Sequence, residues 1–259
     1  MENIREHSSY WKDYWSKKTC GGHRSSEEEF LYKEAKEKLF HLSGGKSLLD
    51  FGCGSADLLK YYIPHYSTVI GSDFSQSMLN AAKQKIQESF NDEYSIEDNI
   101  NCRSQSQDIK TVYLLLADDK TIWQKLPFSV DRITTAQVMA YLTLEQIDDF
   151  LFEASKKLNE DGKVIFFDVI DPKLYILWSI GFFSKTFSVI HLLKIIPFYF
   201  GRLGRKLKNM PKDQMGNSFN PNVIERISNK NGFKMEYIRS MYYEYRYHVI
   251  LTKITQNNQ

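Results

Sequence analysis

The chain has 259 residues, of which 42% are apolar and 14% aromatic, so it can bury one full hydrophobic core with an added lid. Its formal net charge of +2 is too small to indicate nucleic-acid binding by itself. The three cysteines, Cys20, Cys53 and Cys102, are odd in number and are not spaced as metal ligands, so neither a disulfide framework nor a zinc site is implied. The charged, aromatic N-terminus is unlike a secretory signal peptide, and we expect a cytoplasmic protein.

The first elements of the chain are predicted to be helical. Four aromatic residues recur at the spacing of one helix face: Tyr10, Trp11, Tyr14 and Trp15. This face either docks onto the core or contacts a ligand. Glu27 to His41 follows with helix-forming composition and ends before a Ser-Gly-Gly turn.

The stretch from Ser47 to Tyr62 reads as a strand, a glycine turn and a helix. Ser47 to Phe51 is an apolar run that ends in Gly52-Cys53-Gly54, the pattern of a buried parallel strand that turns sharply. The two glycines lack a Cβ, so a ligand can approach the main chain closely. The helix predicted from Ala56 to Tyr62 would present free N–H groups to a carboxylate or phosphate.

Asp73 ends a second predicted strand that begins at Thr68. A carboxylate at this position can accept both hydrogens of a ribose diol. Dinucleotide-binding proteins share this arrangement, but their fingerprint G-x-G-x-x-G has a third glycine. That position is Asp57 here, and its carboxylate would repel a pyrophosphate.

The glycine turn resembles motif I of the class I S-adenosylmethionine-dependent methyltransferases, LDxGCGxG, and GSDFSQSML resembles their second motif, GxDxSxxML. One departure is Ala56, which replaces the last glycine of motif I and is expected to narrow the pocket slightly. The resemblance implies an α/β fold with a Rossmann-like seven-stranded sheet in the order 3-2-1-4-5-7-6. The last strand would be antiparallel, helices would cover both faces, and an insertion would form a helical lid. The implied cofactor is S-adenosyl-L-methionine, with S-adenosyl-L-homocysteine as product.

The resemblance also implies the residues that hold the cofactor. Asp73 would bind the ribose, and Gly52 and Gly54 would let the backbone approach the methionine end. After a third core strand, Asp118 is the first choice and Asp119 the second for accepting a hydrogen bond from the adenine amino group, although both also fit an ordinary loop. The predicted cofactor-binding residues are Asp50, Gly52, Cys53, Gly54, Asp73, Phe74, Met78, Asp118, Asp119 and Gln137.

The later elements follow from periodicity and turn signals. Asn91 to Lys110 is polar and is predicted to be a surface excursion. The other predicted elements are helix Ser75 to Phe90, strand Thr111 to Leu116, strand Val130 to Gln137, helix Gln146 to Leu158 behind a capping box at Thr143, strand Lys163 to Val169, helix Pro221 to Asn231, and a hairpin of Lys234 to Met241 with Arg246 to Lys253.

The connection from Asp171 to Asn220 is far longer than usual. Its longest uncharged stretch, Leu174 to Ser184, is too short to span a bilayer, which needs about 20 residues. Between positions 194 and 212 there are six basic and no acidic residues: Lys194, Arg202, Arg205, Lys206, Lys208 and Lys212. This cluster fits a solvated surface, a pocket for an anionic acceptor, or a contact with a membrane surface. Long loops at the crevice build substrate sites in α/β enzymes, which favours the acceptor pocket.

We therefore predict one methyltransferase domain: a helical cover (1–42), a cofactor-binding core (43–170), a lid and acceptor insertion (171–220), and a C-terminal helix and hairpin (221–259). Methyl transfer mainly requires alignment of donor and acceptor, and an alcohol acceptor also benefits from a general base. The candidate catalytic residues are Tyr141, His191 and Tyr14, with His7 as a further candidate base. No metal is predicted, because no paired acids lie at metal-ligand spacing.

The predicted function is methylation of a small, anionic acceptor, with oxygen preferred to nitrogen. Such chains weakly resemble tailoring enzymes of surface-polysaccharide or secondary-metabolite pathways. The alternatives are methylation of a lipid or quinone at a membrane surface, N-methylation, and a binding module without activity. No nucleic-acid partner is expected, because the segment after the fourth strand lacks the Asn-Pro-Pro-Tyr signature of nucleobase methylation.

Overall fold

The computed structural model describes residues 27–91, 93–100, 110–183 and 216–254. Their strands are β1 (Ser47–Phe51), β2 (Thr68–Asp73), β3 (Ser95–Glu97), β4 (Thr111–Leu116), β5 (Val130–Ala136), β6 (Leu158–Ile170), β7 (Phe233–Arg239) and β8 (Arg246–Lys253). Their helices are α1 (Glu28–Leu42), α2 (Leu59–Tyr62), α3 (Gln76–Phe90), α4 (Ile122–Lys125), α5 (Leu144–Lys157), α6 (Pro172–Ser179) and α7 (Pro221–Lys230). Two short 3₁₀ turns, Ile63–His65 and Met139–Tyr141, follow α2 and β5.

The strands form one sheet in the order β3-β4-β2-β1-β5-β6-β8-β7. Strand β8 runs antiparallel to both of its neighbours, and the other pairs are parallel. Apart from the added edge strand β3, this is the predicted order. The strand order reverses between β1 and β5, and ligands of open α/β sheets bind outside the carboxyl ends of the strands at such a switch point.

The core lies on both faces of the sheet. Successive residues of β1 alternate between two hydrophobic clusters: Leu48 packs on one face, and Leu49 and Phe51 pack on the other. Because β1 is buried on both sides, its sequence is a continuous apolar run rather than an alternating one. Strand β5 lies beside β1 and carries the core residues Val130 and Ile133.

Most predicted elements are present within two residues of the predicted bounds, including the capping box between Thr143 and Gln146. Three predictions were wrong. Strand β6 begins at Leu158, five residues before the predicted Lys163, because Leu158 already pairs with Val130 ahead of an irregularity in the ladder. The polar excursion contains strand β3, whose three residues are too few to show periodicity. The helix predicted from Ala56 begins only at Leu59, because Ala56 has a left-handed backbone (φ +62°) that a right-handed helix cannot include.

A buried ion cluster attaches α1 to the sheet. We define the α1–sheet ion cluster as Glu34, Glu37, Lys38, Asp168 and His248, all of them buried. The Lys38 Nζ atom lies 2.8 Å from Glu34 Oε1 and 2.9 Å from Asp168 Oδ2. His248 Nε2 lies 3.1 Å from Glu37 Oε1, and the Asp168 backbone N–H donates to His248 Nδ1 over 3.2 Å. Since Nδ1 accepts, the ring proton belongs on Nε2, where it donates to Glu37.

Asp168 lies where the ladder between β6 and β8 shifts register, and its backbone is left-handed (φ +60°). Burial alone would raise the pKa of Asp168, but the positive charges of Lys38 and Arg246 hold that pKa well below its ordinary value. Asp168 therefore stays ionised inside the fold, where its charge is balanced by buried cations rather than by water.

Replacing Lys38 by Met is expected to lower the free energy of unfolding by about 3 kcal/mol or more. The substitution removes the ammonium group shared by the buried carboxylates of Glu34 and Asp168. Lys33→Met is the matched control, because Lys33 pairs with Glu29 at the same spacing on the same helix but in solvent. No measurable change is expected there. Urea unfolding followed by circular dichroism measures both, and equal effects of the two substitutions would contradict a stabilising role for the cluster.

Candidate active site at the carboxyl edge of the sheet

The glycine turn after β1 folds back onto β2. The backbone N–H groups of Gly52 and Cys53 both donate to the Ser72 carbonyl, over 2.7 and 2.9 Å. Gly52 has φ +73°, and a Cβ there would lie 2.4 Å from a methyl group of Val138, so a side chain is excluded. Gly54 has φ +55°, but a Cβ there would meet no atom within 4 Å. The open side of Gly54 is therefore a place where a ligand can lie against the backbone.

Asp73 connects this turn to the start of α3. Its Oδ2 atom accepts the Gly54 N–H over 3.1 Å, and its Oδ1 atom accepts the Ser75 N–H over 2.8 Å. Burial raises the pKa of Asp73 to about 6, although these backbone N–H groups act in the opposite direction. Each carboxylate oxygen can accept more than one hydrogen bond, so the same group can also take the hydroxyl groups of a diol.

Phe74 and Met78 follow Asp73 directly. The Ser75 side chain caps α3 by accepting the Met78 N–H over 3.4 Å. Met78 is buried and Phe74 is half-buried. The capped helix therefore fixes both predicted residues close to the Asp73 carboxylate.

Asp50 precedes the turn and Cys53 is part of it. Asp50 is buried in β1. Burial, together with the nearby carboxylates of Asp73 and Asp50, raises the pKa of the Cys53 thiol well above its ordinary value. The thiol therefore stays protonated, and Cys53 is unsuited to act as a nucleophile.

Asp57 occupies the position of the third dinucleotide glycine, and it is engaged within the protein. Its carboxylate forms an ion pair with Lys85 and accepts a hydrogen bond from Ser55 Oγ over 3.1 Å. The Lys85 ammonium offsets much of the Asp57 charge, so the argument against a pyrophosphate rests on the missing third glycine rather than on repulsion.

The two acids after β4 have different partners. Asp118 Oδ1 accepts from the backbone N–H and the hydroxyl of Thr121, over 3.0 and 2.8 Å, and so holds the turn that enters α4. Asp119 Oδ2 accepts from Gln146 Nε2 over 3.1 Å. The Ala117 N–H donates to the Asp73 carbonyl over 2.9 Å, so this turn lies beside the end of β2. An adenine contact for either acid stays a prediction.

Gln137 follows β5 with a left-handed backbone (φ +66°), and its N–H donates to the Phe167 carbonyl over 3.1 Å. Its Nε2 atom is buried and has no hydrogen-bond partner among the described residues. A buried amide donor without a hydrogen-bond acceptor is unusual and is consistent with a contact to a bound ligand. Tyr141 ends the 3₁₀ turn that follows and is half-buried. Both residues lie at the same edge of the sheet as the glycine turn.

The other two candidate catalytic residues, Tyr14 and His191, lie outside the described residues, as do His7 and the basic residues between 194 and 212.

Sequence reasoning missed Arg246, which it assigned only to the last strand. Arg246 is buried at the first position of β8, with its guanidinium against the rings of Tyr243 and Tyr245. The only sequence signal was a basic residue within a run of tyrosines, which is equally typical of an exposed hairpin.

The residues at this edge fit S-adenosylmethionine. Asp73 provides an acceptor for the ribose diol, the open side of Gly54 accommodates a close approach to the backbone, and the Gln137 amide has a donor to spare. These features belong to three different loops, after β1, β2 and β5, that the parallel sheet brings to one edge.

Comparison with known proteins relates the core of the chain to one class. Residues 49–164 match the methyltransferase domain family. The core of the chain is therefore similar to methyltransferase domains, among them those of S-adenosylmethionine-dependent enzymes.

Individual relatives agree with this class. The chain is 25% identical to the probable S-adenosylmethionine-dependent methyltransferase CRG1 of Saccharomyces cerevisiae over 201 residues, which is 78% of this chain and 55% of the yeast protein. It spans about half the length of the curated relatives it matches (55%, 41% and 54%).

Solved structures share the fold. An S-adenosylmethionine-dependent methyltransferase of Leishmania major has a TM-score of 0.59 at 14% identity, with 95% of this chain and 82% of that chain covered. Magnesium protoporphyrin IX methyltransferase of Synechocystis, solved with bound S-adenosylhomocysteine, has a TM-score of 0.54 at 15% identity, with 95% and 97% covered. In the described part of the present chain, no helix has the length and apolarity that a membrane crossing requires.

Asp73→Asn is expected to weaken binding of S-adenosylhomocysteine tenfold to a hundredfold, because about 1.5–3 kcal/mol of charge-assisted hydrogen bonding is lost. In the wild type the affinity should also fall about tenfold from pH 7 to pH 5, since protonation through a pKa of about 6 removes the acceptor charge. The variant should lack this pH dependence. Calorimetry at several pH values measures both effects.

Asp131→Asn is the matched control. Asp131 also accepts two backbone N–H groups, those of Lys46 and Ser47, but it lies at the opposite edge of the sheet. The Asp131→Asn substitution should lower the free energy of unfolding and leave the affinity for S-adenosylhomocysteine unchanged. A folded Asp73→Asn protein that binds with wild-type affinity would show that the ribose lies elsewhere.

Gly54→Ala is expected to abolish or strongly weaken cofactor binding, because the added methyl group enters the open space beside the turn. The left-handed backbone itself costs about 1–2 kcal/mol of stability for any side chain. Gly232→Ala is the control, since Gly232 has a similar backbone (φ +78°) and equally open surroundings but lies in the turn between α7 and β7. Thermal unfolding should shift similarly in both variants, while only Gly54→Ala should change the affinity for S-adenosylhomocysteine. An affinity for S-adenosylhomocysteine that is the same in Gly54→Ala as in the wild type would contradict the placement of the cofactor beside Gly54.

Proposed function

We propose that the chain transfers a methyl group from S-adenosylmethionine to a small, anionic acceptor, with oxygen preferred to nitrogen. The observation that carries this proposal is the bond from the Gly54 N–H to the buried Asp73 carboxylate at the switch point of the sheet. The methyltransferase family match over residues 49–164 supports it.

The bound cofactor supplies an electrophilic methyl group on a sulfonium. The protein's part is to position this group and to keep water away. Asp73 would accept hydrogen bonds from the ribose hydroxyl groups, and the glycine turn would let the methionine end lie along the backbone. The Gln137 amide, whose Nε2 atom has no partner among the described residues, would donate to the ligand at the end of β5.

The acceptor enters from the side of β5 and β6. Tyr141 is the described candidate for a base that removes a proton from an alcohol acceptor, whereas a carboxylate or phosphate oxygen needs no base. An anionic acceptor is favoured by the six basic residues between positions 194 and 212. A small acceptor is also consistent with the Synechocystis neighbour, which is named for methylation of a porphyrin.

Calorimetry with S-adenosylmethionine, S-adenosylhomocysteine and NAD tests the proposed cofactor. We expect micromolar binding of the first two and no binding of NAD, because the turn lacks the third glycine that a pyrophosphate requires. Tight binding of NAD with no response to the other two would overturn the proposal. A screen of acids and alcohols with radiolabelled S-adenosylmethionine then tests the activity, and a protein that binds the cofactor but methylates none of them would favour the binding module.

A further inference from the structure

The Arg246 guanidinium is buried and has neither a carboxylate nor a carbonyl partner among the described residues. Arg246 is 3% exposed, and it lies opposite Ile170 at the carboxyl end of β6. Its Cζ atom lies 4.8 Å from the ring centre of Tyr243 and 5.1 Å from that of Tyr245. Among the described residues, its Nε atom has no hydrogen-bond partner and no carboxylate forms an ion pair with it. The Asp168 carboxylate interacts electrostatically with Arg246 only at longer range, because Asp168 forms its ion pair with Lys38.

The buried Arg132 also has an Nε atom without a partner, but its terminal nitrogen atoms are satisfied by backbone carbonyls. Arg132 donates to the backbone carbonyls of Asp131 and Ser43, both over 2.8 Å, and to that of Asp161 over 3.4 Å. Arg246 makes no such bonds among the described residues. Burying a cation without hydrogen-bond acceptors is costly, so its retention at this place points to an acceptor that arrives with a ligand.

Arg246 borders the region beyond the end of β5. Tyr245 packs against Ala140, which lies in the 3₁₀ turn after Gln137, and against Ile170. The ring of Trp178 in α6 lies 4.6 Å from that of Tyr245, centre to centre, and Tyr175 stacks on Trp178 at 5.9 Å. We call Tyr175, Trp178, Tyr243 and Tyr245 the aromatic wall. Two of its residues belong to α6, the first helix of the long insertion, and Tyr245 connects them to the turn after β5.

We propose that Arg246 and the aromatic wall form the acceptor-binding site, with the guanidinium binding a carboxylate or phosphate and the wall packing a planar, apolar body. The proposal rests on the proposed function, which makes the occupant of this place the methyl acceptor. A guanidinium is planar and presents its N–H groups in one plane, which suits two-point binding of an anionic oxygen group. Aromatic faces favour planar partners over branched or flexible ones. The substrate class is therefore aromatic or conjugated acids and phosphate esters.

Calorimetry with benzoate, phenyl phosphate and uncharged benzamide tests this site, with and without saturating S-adenosylhomocysteine. The wild type should bind at least one of the two anions tenfold or more tightly than benzamide, and the tighter anion identifies carboxylate or phosphate as the preferred group. Arg246→Gln should abolish this preference without changing the affinity for S-adenosylhomocysteine. Trp178→Ala should weaken all three probes by a similar factor, because the wall contacts the ring they share.

Arg132→Gln is the matched control. It should lower the unfolding temperature through its lost carbonyl contacts and leave the anion preference intact. Arg246→Lys keeps the charge but not the planar guanidinium, so it should retain part of the preference for anions over benzamide. If Arg246→Gln fails to fold, Arg246→Lys provides the test. Equal binding of anions and benzamide by the wild type, or an unchanged preference in either Arg246 variant, would overturn the inference. A wild type that does not bind S-adenosylhomocysteine would instead contradict the proposed function. The two failures can be distinguished, because the anion preference is also measured without S-adenosylhomocysteine.

Discussion

The Asp73 carboxylate is the constraint on which the rest of the site depends. It holds the Gly54 N–H on one side and the Ser75 N–H on the other, so the glycine turn and the start of α3 are fixed by one group. The Asp73 carbonyl also accepts the Ala117 N–H, which attaches the loop after β4 to the same point. A buried carboxylate is tolerated here because backbone donors replace part of the lost hydration.

Two kinds of buried charge lie at opposite sides of the carboxyl edge. Asp73 is compensated by backbone dipoles, whereas Lys38 and Asp168 compensate one another as full charges within the α1–sheet ion cluster. The cluster connects α1 to β6 and β8 through His248 and Glu37. It therefore fixes the strands from which Arg246 projects, and this rigidity suits a binding group that must be in place before its partner arrives.

The parts of this fold that could be predicted are those encoded by local sequence. The apolar run of β1, the turn at Gly52 and the capping box at Thr143 each follow from neighbouring residues, and the sheet order followed from the family resemblance. The short β3 and the left-handed Ala56 could not be predicted in this way. Alanine favours helices in general, and here the tertiary position of the turn overrides that preference.

The ion cluster and the Arg246 site were missed for a different reason. Lys38 and Asp168 are far apart in the chain, and nothing near either residue indicates that both are buried. In α1, Glu34 and Lys38 have the spacing of an ordinary exposed pair, such as Glu29 and Lys33. Only the packing of α1 against β6 distinguishes them.

The separation of charges along the edge has a consequence for the reaction. A negative group at the end of β2 attracts hydroxyl donors, and a positive group at the start of β8 attracts anionic oxygens. Strands β1, β5 and β6 lie between β2 and β8. A cofactor with a ribose diol and an acceptor with an acidic group would therefore be drawn to opposite ends of the edge and would meet near the turn after β5. Because the Asp73 carboxylate repels an anionic group, this arrangement would keep the acceptor away from the cofactor's end of the edge.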